Sequence, residues 1–323
     1  GFYFKGGTFM LFDAHGDILT DIYEQVKKGN INTFKKRHLE NYLKAGITHS
    51  IFVNWTNPAT KNLNEFEEIF EAALTEIRFN EDIIKICLNH SDMLKATDEN
   101  KLGVILGIEG IAQLKGLDQL KDLYDKGIRH AGLTWNEVNN YASGLDDLNT
   151  RGLTNEGIQI VKEMESLGML IDLAHLNEKS FEDVIRNTKR PVIISHGNAK
   201  ALCSHRRNYT DKQLLQIKNK NGVVGVCGIP PFISHNEDEH TVSFMAKHID
   251  YIVKLIGIDH VGLGIDMCYY LFDNRSNNKV KGLETIADVP NIIIELEKLG
   301  YSKEDISKIK YKNFFRVIKE ILG

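Results

Sequence analysis

The sequence lacks a long apolar segment and carries little net charge. No apolar run in its 323 residues approaches the roughly 20 residues that a membrane-spanning helix needs, so we expect no membrane contact. The net charge is −4 and no basic cluster is interleaved with aromatic residues, which gives no reason to expect a nucleic-acid partner. Residues 1–9 lack the apolar centre of a signal peptide, and we expect them to be a non-native or disordered extension before a natural start at Met10.

Cysteine is also scarce. The four cysteines, Cys87, Cys203, Cys227 and Cys268, have no paired spacing, which argues against a disulfide framework and against a thiolate zinc site. This usage fits a reducing compartment, and we expect a cytoplasmic protein. The chain has no low-complexity linker and no break in composition, so we expect one domain over residues 1–323.

What the sequence does contain is an alternation of short apolar runs with amphipathic segments. Apolar runs of this length, bounded by Gly or Pro, are typical of buried parallel strands. We predict eight strands, near 10–15, 47–54, 103–108, 128–134, 168–175, 191–196, 222–228 and 260–266. We predict helices in 62–96, 113–126, 154–166, 178–187, 211–220 and 241–256, and two more, near 285–298 and 303–321, packed outside the barrel. This alternation predicts a (β/α)8 TIM-type barrel with extra C-terminal helices.

Five residues with metal-binding side chains follow these apolar runs: His15, Asp17, Glu109, His175 and His196. Residues i and i+2 of an extended chain point to the same face, so we expect His15 and Asp17 to converge on one cation. His175 and His196 end consecutive strands, which lie about 4.8 Å apart in a sheet, so we expect them to share a second cation. Taken alone, either histidine fits a hydrogen-bonded core side chain better than a metal ligand, and it is their shared position at strand ends, together with His15 and Asp17, that favours a metal site.

Glu109 is a carboxylate after six largely apolar residues, where burial is costly unless the group is paired or binds a metal. Its two oxygens can reach two cations, which predicts a bridging ligand; the alternative is a helix-capping carboxylate. Histidine and carboxylate ligands without sulfur suit zinc. Two divalent ions about 3.5–4 Å apart would polarise a substrate carbonyl and convert a shared water into hydroxide near neutral pH.

Two further polar features lie near the predicted site. Asp266 ends the last predicted strand, where it can orient the water and carry its proton to the leaving amine; the alternative is support of a histidine ligand. The segment 204–209 contains Arg206 and Arg207. A guanidinium there can hold a substrate carboxylate through two hydrogen bonds, whereas ordinary loop arginines would lie at the surface.

These motifs resemble those of the membrane (renal) dipeptidases, metallopeptidases with an amidohydrolase-like barrel. The resemblance covers essentially the whole chain, in the family's order. The matching segments are DAHGD at 13–17, GIEG at 107–110, LIDLAH at 170–175, ISH at 194–196, ALCSHRRN at 201–208 and DHVGLGID at 259–266.

The resemblance implies a binuclear zinc site with His15 and Asp17 on one metal, His175 and His196 on the other, and Glu109 between them. Family members cleave free dipeptides and tolerate a D-residue at the C-terminal position. Bacterial relatives are typically soluble and often dimeric, so we expect a homodimer.

The resemblance also implies that Arg207, rather than Arg206, holds the dipeptide carboxylate, and that Asp266 handles the proton. Two segments depart from the family's pattern. Trp135, followed by Asn136, stands at a strand end where the renal enzymes have a histidine that contacts the scissile carbonyl. We expect Trp135 and Asn136 to bind substrate, with the Asn136 amide or the metals alone replacing that donor. After Asp266, the usual Phe-Asp-Gly is replaced by the residues 267–269, which predicts a different pocket wall.

We therefore predict a metal-dependent dipeptidase that hydrolyses free dipeptides, including L,D-dipeptides, by attack of a metal-bridging hydroxide. The departure at Trp135 leaves open a binuclear hydrolase of the same fold that acts on a lactone, a cyclic amide or a phosphoester. A third alternative is a non-enzymatic metal-binding or partner-binding protein with a decayed site. The presence of all five ligands and Asp266 argues against it.

Overall fold

The computed structural model describes residues 10–148, 150–271 and 279–323. The predicted N-terminal extension, residues 1–9, lies outside the described residues. The strands are β1 (Phe12–Gly16), β2 (His49–Trp55), β3 (Ile84–Ile86), β4 (Leu102–Glu109), β5 (Ile128–Gly132), β6 (Leu170–Asp172), β7 (Ile193–Ile194), β8 (Val223–Val226) and β9 (Val261–Leu263).

Eight parallel strands form a nearly closed barrel in the order β1-β2-β4-β5-β6-β7-β8-β9. Where the first and last strands meet, the backbone N–H of Ile265 donates to Asp13 Oδ1 over 2.8 Å. Most strands are buried along their length, which explains why they read as continuous apolar runs. The prediction of a TIM-type barrel is confirmed.

The ninth strand, β3, was not predicted. It lies inside the segment 62–96, for which we predicted helix throughout. It pairs with the beginning of β4, Ile84 opposite Leu102, whereas β5 pairs with β4 only from Leu106 onward. β3 therefore occupies the edge of β4 that β5 leaves free at the N-terminal end of the barrel.

The helices lie around this barrel. They are α1 (Ile18–Lys27), α2 (Leu39–Ala45), α3 (Glu65–Phe79), α4 (His90–Asp98), α5 (Leu117–Asp125), α6 (Asn155–Leu167), α7 (Glu178–Asn187), α8 (Asp211–Asn219), α9 (Pro230–Ile233), α10 (Val242–Ile256), α11 (Pro290–Lys298), α12 (Lys303–Ser307) and α13 (Asn313–Leu322). Side chains of Thr154 and Thr210 cap α6 and α8 by accepting backbone N–H groups. None of the helices in the described ranges is both long enough and apolar enough to cross a bilayer.

The C-terminal helices differ in part from the prediction. α11 packs against α10 outside the barrel, as expected. α13 instead covers the barrel end opposite the ends of the strands that carry His15 and Glu109. Its Phe314 stacks on Phe12, the first residue of β1, with ring centroids 5.0 Å apart. The strongly one-sided apolar face of α13 is explained by this position, because it seals the barrel core.

Candidate metal centre

The predicted site residues meet at the C-terminal ends of the strands. His15 lies in β1, and Glu109 is the last residue of β4. His175, His196 and Asp266 follow β6, β7 and β9 within a few residues. Because these strands are parallel, their C-terminal ends open at one face of the barrel, and the side chains converge there.

His15 lies among three carboxylates. Its Nε2 is 2.8 Å from Glu109 Oε2, 3.6 Å from Asp17 Oδ1 and 3.5 Å from Asp266 Oδ1. The predicted convergence of His15 and Asp17 is present. Asp17 directly follows β1 and is the N-cap residue of α1.

His175 and His196 face each other on the other side of the cluster. Their Nε2 atoms are 3.1 Å apart. His196 Nε2 also lies 3.9 Å from Glu109 Oε2 and 3.9 Å from Asp266 Oδ2. Both imidazoles are buried.

Three sets of side chains could each hold a cation. They are His15, Asp17 and Glu109; Glu109, His175 and His196; and His15, His196 and Asp266. Glu109 belongs to two of them, which is the property required of a bridging ligand.

The donor set fits divalent cations. Glu109 Oε2 is buried and lies 2.8 Å from His15 Nε2, but it forms no hydrogen bond of ordinary geometry among the described residues. Within the same part of the chain, Asp17, Glu109 and Asp266 form ion pairs with histidines and with no lysine or arginine. Such an accumulation of buried carboxylates is costly unless a cation neutralises it.

The electrostatics divide the three histidines into two kinds. Burial acts to lower the pKa of His15, but the carboxylates of Glu109 and Asp17 outweigh it and raise the pKa well above its usual range. Burial, reinforced by the positive charges of Arg207 and His15, lowers the pKa of His175 and of His196 well below that range. The cluster thus favours extra positive charge beside His15 and keeps the other two imidazoles neutral, with lone pairs free to bind.

Asp266 has unusual properties for an aspartate. Burial raises its pKa well above the usual range, against the opposing charge of His15. Its backbone adopts φ +58°, and His175 adopts φ +67°. Left-handed backbone at non-glycine residues costs of order 1–3 kcal/mol each and is concentrated at functional sites.

A cavity of about 540 Å³ opens above the cluster. Arg207 lies in the wall of this cavity and is only 4% exposed. Its Nη2 donates a hydrogen bond to the backbone carbonyl of His196 over 3.3 Å. Its Nε and Nη1 have no partner among the described residues. Arg206 is exposed and pairs with Asp146 at 3.1 Å. The structure therefore places Arg207, and not Arg206, where a ligand in the cavity could meet an unpaired guanidinium. The cavity is lined by Asp17, Thr20, Glu24, Trp55, Glu109, Trp135, Asn136, His175, His196, Arg207, Ile229, Phe232, Asp266, Cys268 and Leu271.

Trp135 and Asn136 both line this cavity, as predicted for substrate-binding residues. Trp135 packs edge-on against Trp55 with ring centroids 5.4 Å apart, and its ring is 6.3 Å from that of His175. Asn136 Oδ1 lies 3.0 Å from His175 Nδ1. The carbonyl oxygen of this amide is thus used within the protein, which the sequence reasoning did not anticipate.

Sequence reasoning also missed a buried carboxylate beneath the histidines. Asp172 Oδ1 accepts the backbone N–H groups of Ala174 and Ser195, and its Oδ2 lies 2.9 Å from His130 Nε2. Asp172 thereby ties the chain end that carries His175 to the next strand. The signal was present, since Asp172 interrupts an apolar run in the same way as Glu109 does.

A family model described as membrane dipeptidase (peptidase family M19) matches residues 7–322 of this chain. The chain belongs to the membrane dipeptidase family. The prediction of a metal-dependent dipeptidase is confirmed at the level of the family, and the metal-binding character of the cluster agrees with it.

Relatives of this chain are found in bacteria and fungi. An uncharacterized protein of Klebsiella pneumoniae is 32% identical over 248 residues, which cover 74% of this chain and 89% of that protein. A protein of Schizosaccharomyces pombe named as a dipeptidase is 31% identical over 277 residues, which cover 84% of this chain and 65% of that protein. The chain therefore spans about two thirds of the fungal relative's length.

A solved structure shares the fold of this chain. A metallopeptidase from Rhodobacter sphaeroides, liganded with a phosphinate mimic of the dipeptide L-Ala-D-Ala, superposes with a TM-score of 0.86. The superposition covers 97% of this chain and 99% of that one at 22% sequence identity.

Proposed function

We propose that this protein hydrolyses the peptide bond of free dipeptides with two divalent cations, zinc in preference to other metals. One observation carries the proposal: three carboxylates and three imidazoles converge beneath a cavity whose wall holds a buried, incompletely paired arginine. The first group supplies metal ligands, and the arginine matches the carboxylate that a free dipeptide carries.

In this proposal His15 and Asp17 hold one cation, His175 and His196 hold the other, and Glu109 bridges them. Cations held there polarise the scissile carbonyl and lower the pKa of water. Nitrogen and oxygen donors without a thiolate favour zinc over softer metals. The short distances from Glu109 Oε2 to His15 Nε2 and His196 Nε2 support the bridging role, since one oxygen lies near ligands of both sets.

Asp266 holds and moves the proton. A carboxyl with a raised pKa can take a proton from the attacking water and return it to the leaving amine near neutral pH. Its distances of 3.5 Å to His15 and 3.9 Å to His196 keep it beside the reacting atoms in this scheme.

Arg207 binds the substrate carboxylate. Its Nε and Nη1 have no partner among the described residues, so the guanidinium keeps donors for a charge-assisted hydrogen bond to a carboxylate. Arg207 forms no ion pair with an acidic residue in the described ranges. An anionic group on the substrate would therefore supply the ion pair that the protein does not. Trp135 and Trp55 supply an aromatic wall for the substrate, and the amide nitrogen of Asn136 remains available to it.

Several broader properties belong to the same proposal. We infer that the chain forms one domain and works in the cytoplasm as a homodimer. The four cysteines are free, which suits a reducing compartment. An apolar groove between α1 and α3, flanked by the exposed side chains of Ile31 and Phe79, supports self-association, which analytical ultracentrifugation would test.

The experiment compares substrates on the zinc-loaded protein. The panel contains L-Ala-L-Ala, L-Ala-D-Ala, the C-terminal amide of each, a lactone, a cyclic amide and a phosphotriester. We expect both free dipeptides to be cleaved, with kcat/KM at least 10-fold lower for the amides, because a hydrogen bond to a charged group contributes about 1.5–3 kcal/mol. A higher kcat/KM for the lactone, cyclic amide or phosphotriester than for every dipeptide would overturn the proposal.

A further inference from the structure

Each histidine of the second set has one ring nitrogen turned to the cluster and one turned to the protein. His175 Nδ1 lies 3.0 Å from Asn136 Oδ1. Because an amide oxygen only accepts hydrogen bonds, His175 Nδ1 must carry the hydrogen. The Nε2 of the neutral ring is then unprotonated and has a free lone pair. If the Asn136 side-chain amide were turned so that its NH2 faced the ring, His175 Nδ1 would have to be unprotonated and Nε2 protonated, and a protonated Nε2 cannot bind a metal.

His196 is fixed by a chain of two contacts. Its Nδ1 lies 2.8 Å from Ser195 Oγ, and a hydroxyl can either donate or accept. Burial acts to raise the pKa of Asp172, but hydrogen bonds from His130 and from the Ser195 hydroxyl outweigh it and lower the pKa, so the carboxylate is ionised and can only accept. The Ser195 hydroxyl therefore donates its hydrogen to Asp172, and its oxygen accepts a hydrogen bond from His196 Nδ1–H. In the neutral ring, His196 Nε2 is therefore unprotonated as well.

The residues that fix the rings are themselves held rigidly. Asp172 is anchored by two backbone N–H groups and by His130. The backbone carbonyl of Asn136 accepts a hydrogen bond from the backbone N–H of Asp146 over 2.8 Å. A Cβ added at Gly144 would lie 2.6 Å from the Asn136 carbonyl carbon, so only glycine allows the loop to pack this closely against Asn136.

The two Nε2 atoms lie 3.1 Å apart. With both rings in the Nδ1–H form neither nitrogen can donate a hydrogen bond to the other, so both lone pairs are left for a cation. We propose that Asn136, and Ser195 together with Asp172, are positioning residues that lock His175 and His196 in the Nδ1–H tautomer and so create an electron-rich pair for the second cation. This inference depends on the proposed function for the role of the pair. His15 Nδ1, in contrast, is buried without a partner in the described residues, so the first set lacks such a lock.

The tautomers can be measured without metal or substrate. ¹⁵N imidazole shifts are recorded on the metal-free protein at pH 8, above the ordinary imidazole pKa of about 6.5. We expect both rings to be in the Nδ1–H form, whatever the protein's activity. An Nε2–H form for either ring in the native protein would overturn the inference for that ring while leaving dipeptide hydrolysis untouched.

The variants Asn136→Leu and Ser195→Ala remove the two acceptors one at a time. We expect each to produce mixed tautomers in the ring it contacted and to weaken binding of the second zinc by roughly 10–100-fold in a chelator competition, with the first zinc unchanged. Asn136→Asp retains an acceptor and should keep the native tautomer and affinity, even if the leucine variant does not fold. Asn140→Leu, an exposed change in the same loop, is the control. Native zinc affinity in both Asn136→Leu and Ser195→Ala would refute the positioning role.

Discussion

Replacing Asp266 by asparagine separates proton transfer from metal binding. Asp266 has φ +58°, a conformation that asparagine tolerates better than most residues, so Asp266→Asn keeps the backbone and the side-chain shape. It removes the ability to exchange a proton together with the negative charge of the carboxylate. A positioned acid–base group contributes roughly 10²–10⁴-fold to rate, or about 3–5 kcal/mol, so we expect kcat on L-Ala-D-Ala to fall by that factor.

The assay pairs steady-state kinetics with metal content by mass spectrometry. Two cations per chain should remain in Asp266→Asn. The control Asp259→Asn removes an exposed ion pair with Lys308 and should change kcat by less than 2-fold. If Asp266→Asn turned over within 3-fold of the native rate, the proton-transfer role would be refuted. If it lost a cation, Asp266 would be a ligand, in line with its place in a set with His15 and His196.

Three further changes test separate parts of the account. Glu109→Gln should lower cation content below two per chain together with activity, since a neutral amide bridges poorly; two retained cations would contradict bridging. Arg207→Lys should raise KM for free dipeptides about 10–100-fold without affecting their amides, and an equal effect on both would exclude a carboxylate contact. Asp21 is buried against Arg37 and His38 at 2.9 and 2.7 Å. Burial acts to raise the pKa of Asp21, but hydrogen bonds from both partners outweigh it and lower the pKa. Its stabilisation is therefore present above the ordinary carboxyl pKa of about 3.9 and is lost as pH falls through the lowered value. Asp21→Asn should cost about 3 kcal/mol at pH 7, and its melting temperature should approach the native one in acid; a constant difference would contradict the pairing.

The sequence was sufficient to predict the barrel because its strands are buried on both faces and read as apolar runs. It failed where that signal is interrupted. β3 is only three residues long and contains Lys85. α1 was not predicted because its buried face includes the polar residues Asp21 and Gln25, which interrupt the helical periodicity of its apolar residues.

The convergence of the residues of the proposed metal site was predictable from position, since parallel strands present their C-terminal ends at one face. Their contacts beyond the cluster were not. Asn136 and His175 are 39 positions apart in the chain, and no local pattern predicts that the amide oxygen faces the ring. Asp172 could have been singled out as a buried carboxylate, but its partners come from other strands and required the fold.

The most direct test of two cations on these side chains is anomalous diffraction at the zinc absorption edge from crystals of the zinc-loaded protein. We predict two peaks about 3.5–4 Å apart, one beside His15 and Asp17, the other beside His175 and His196, with Glu109 in contact with both. A single peak, or peaks away from these residues, would contradict the account.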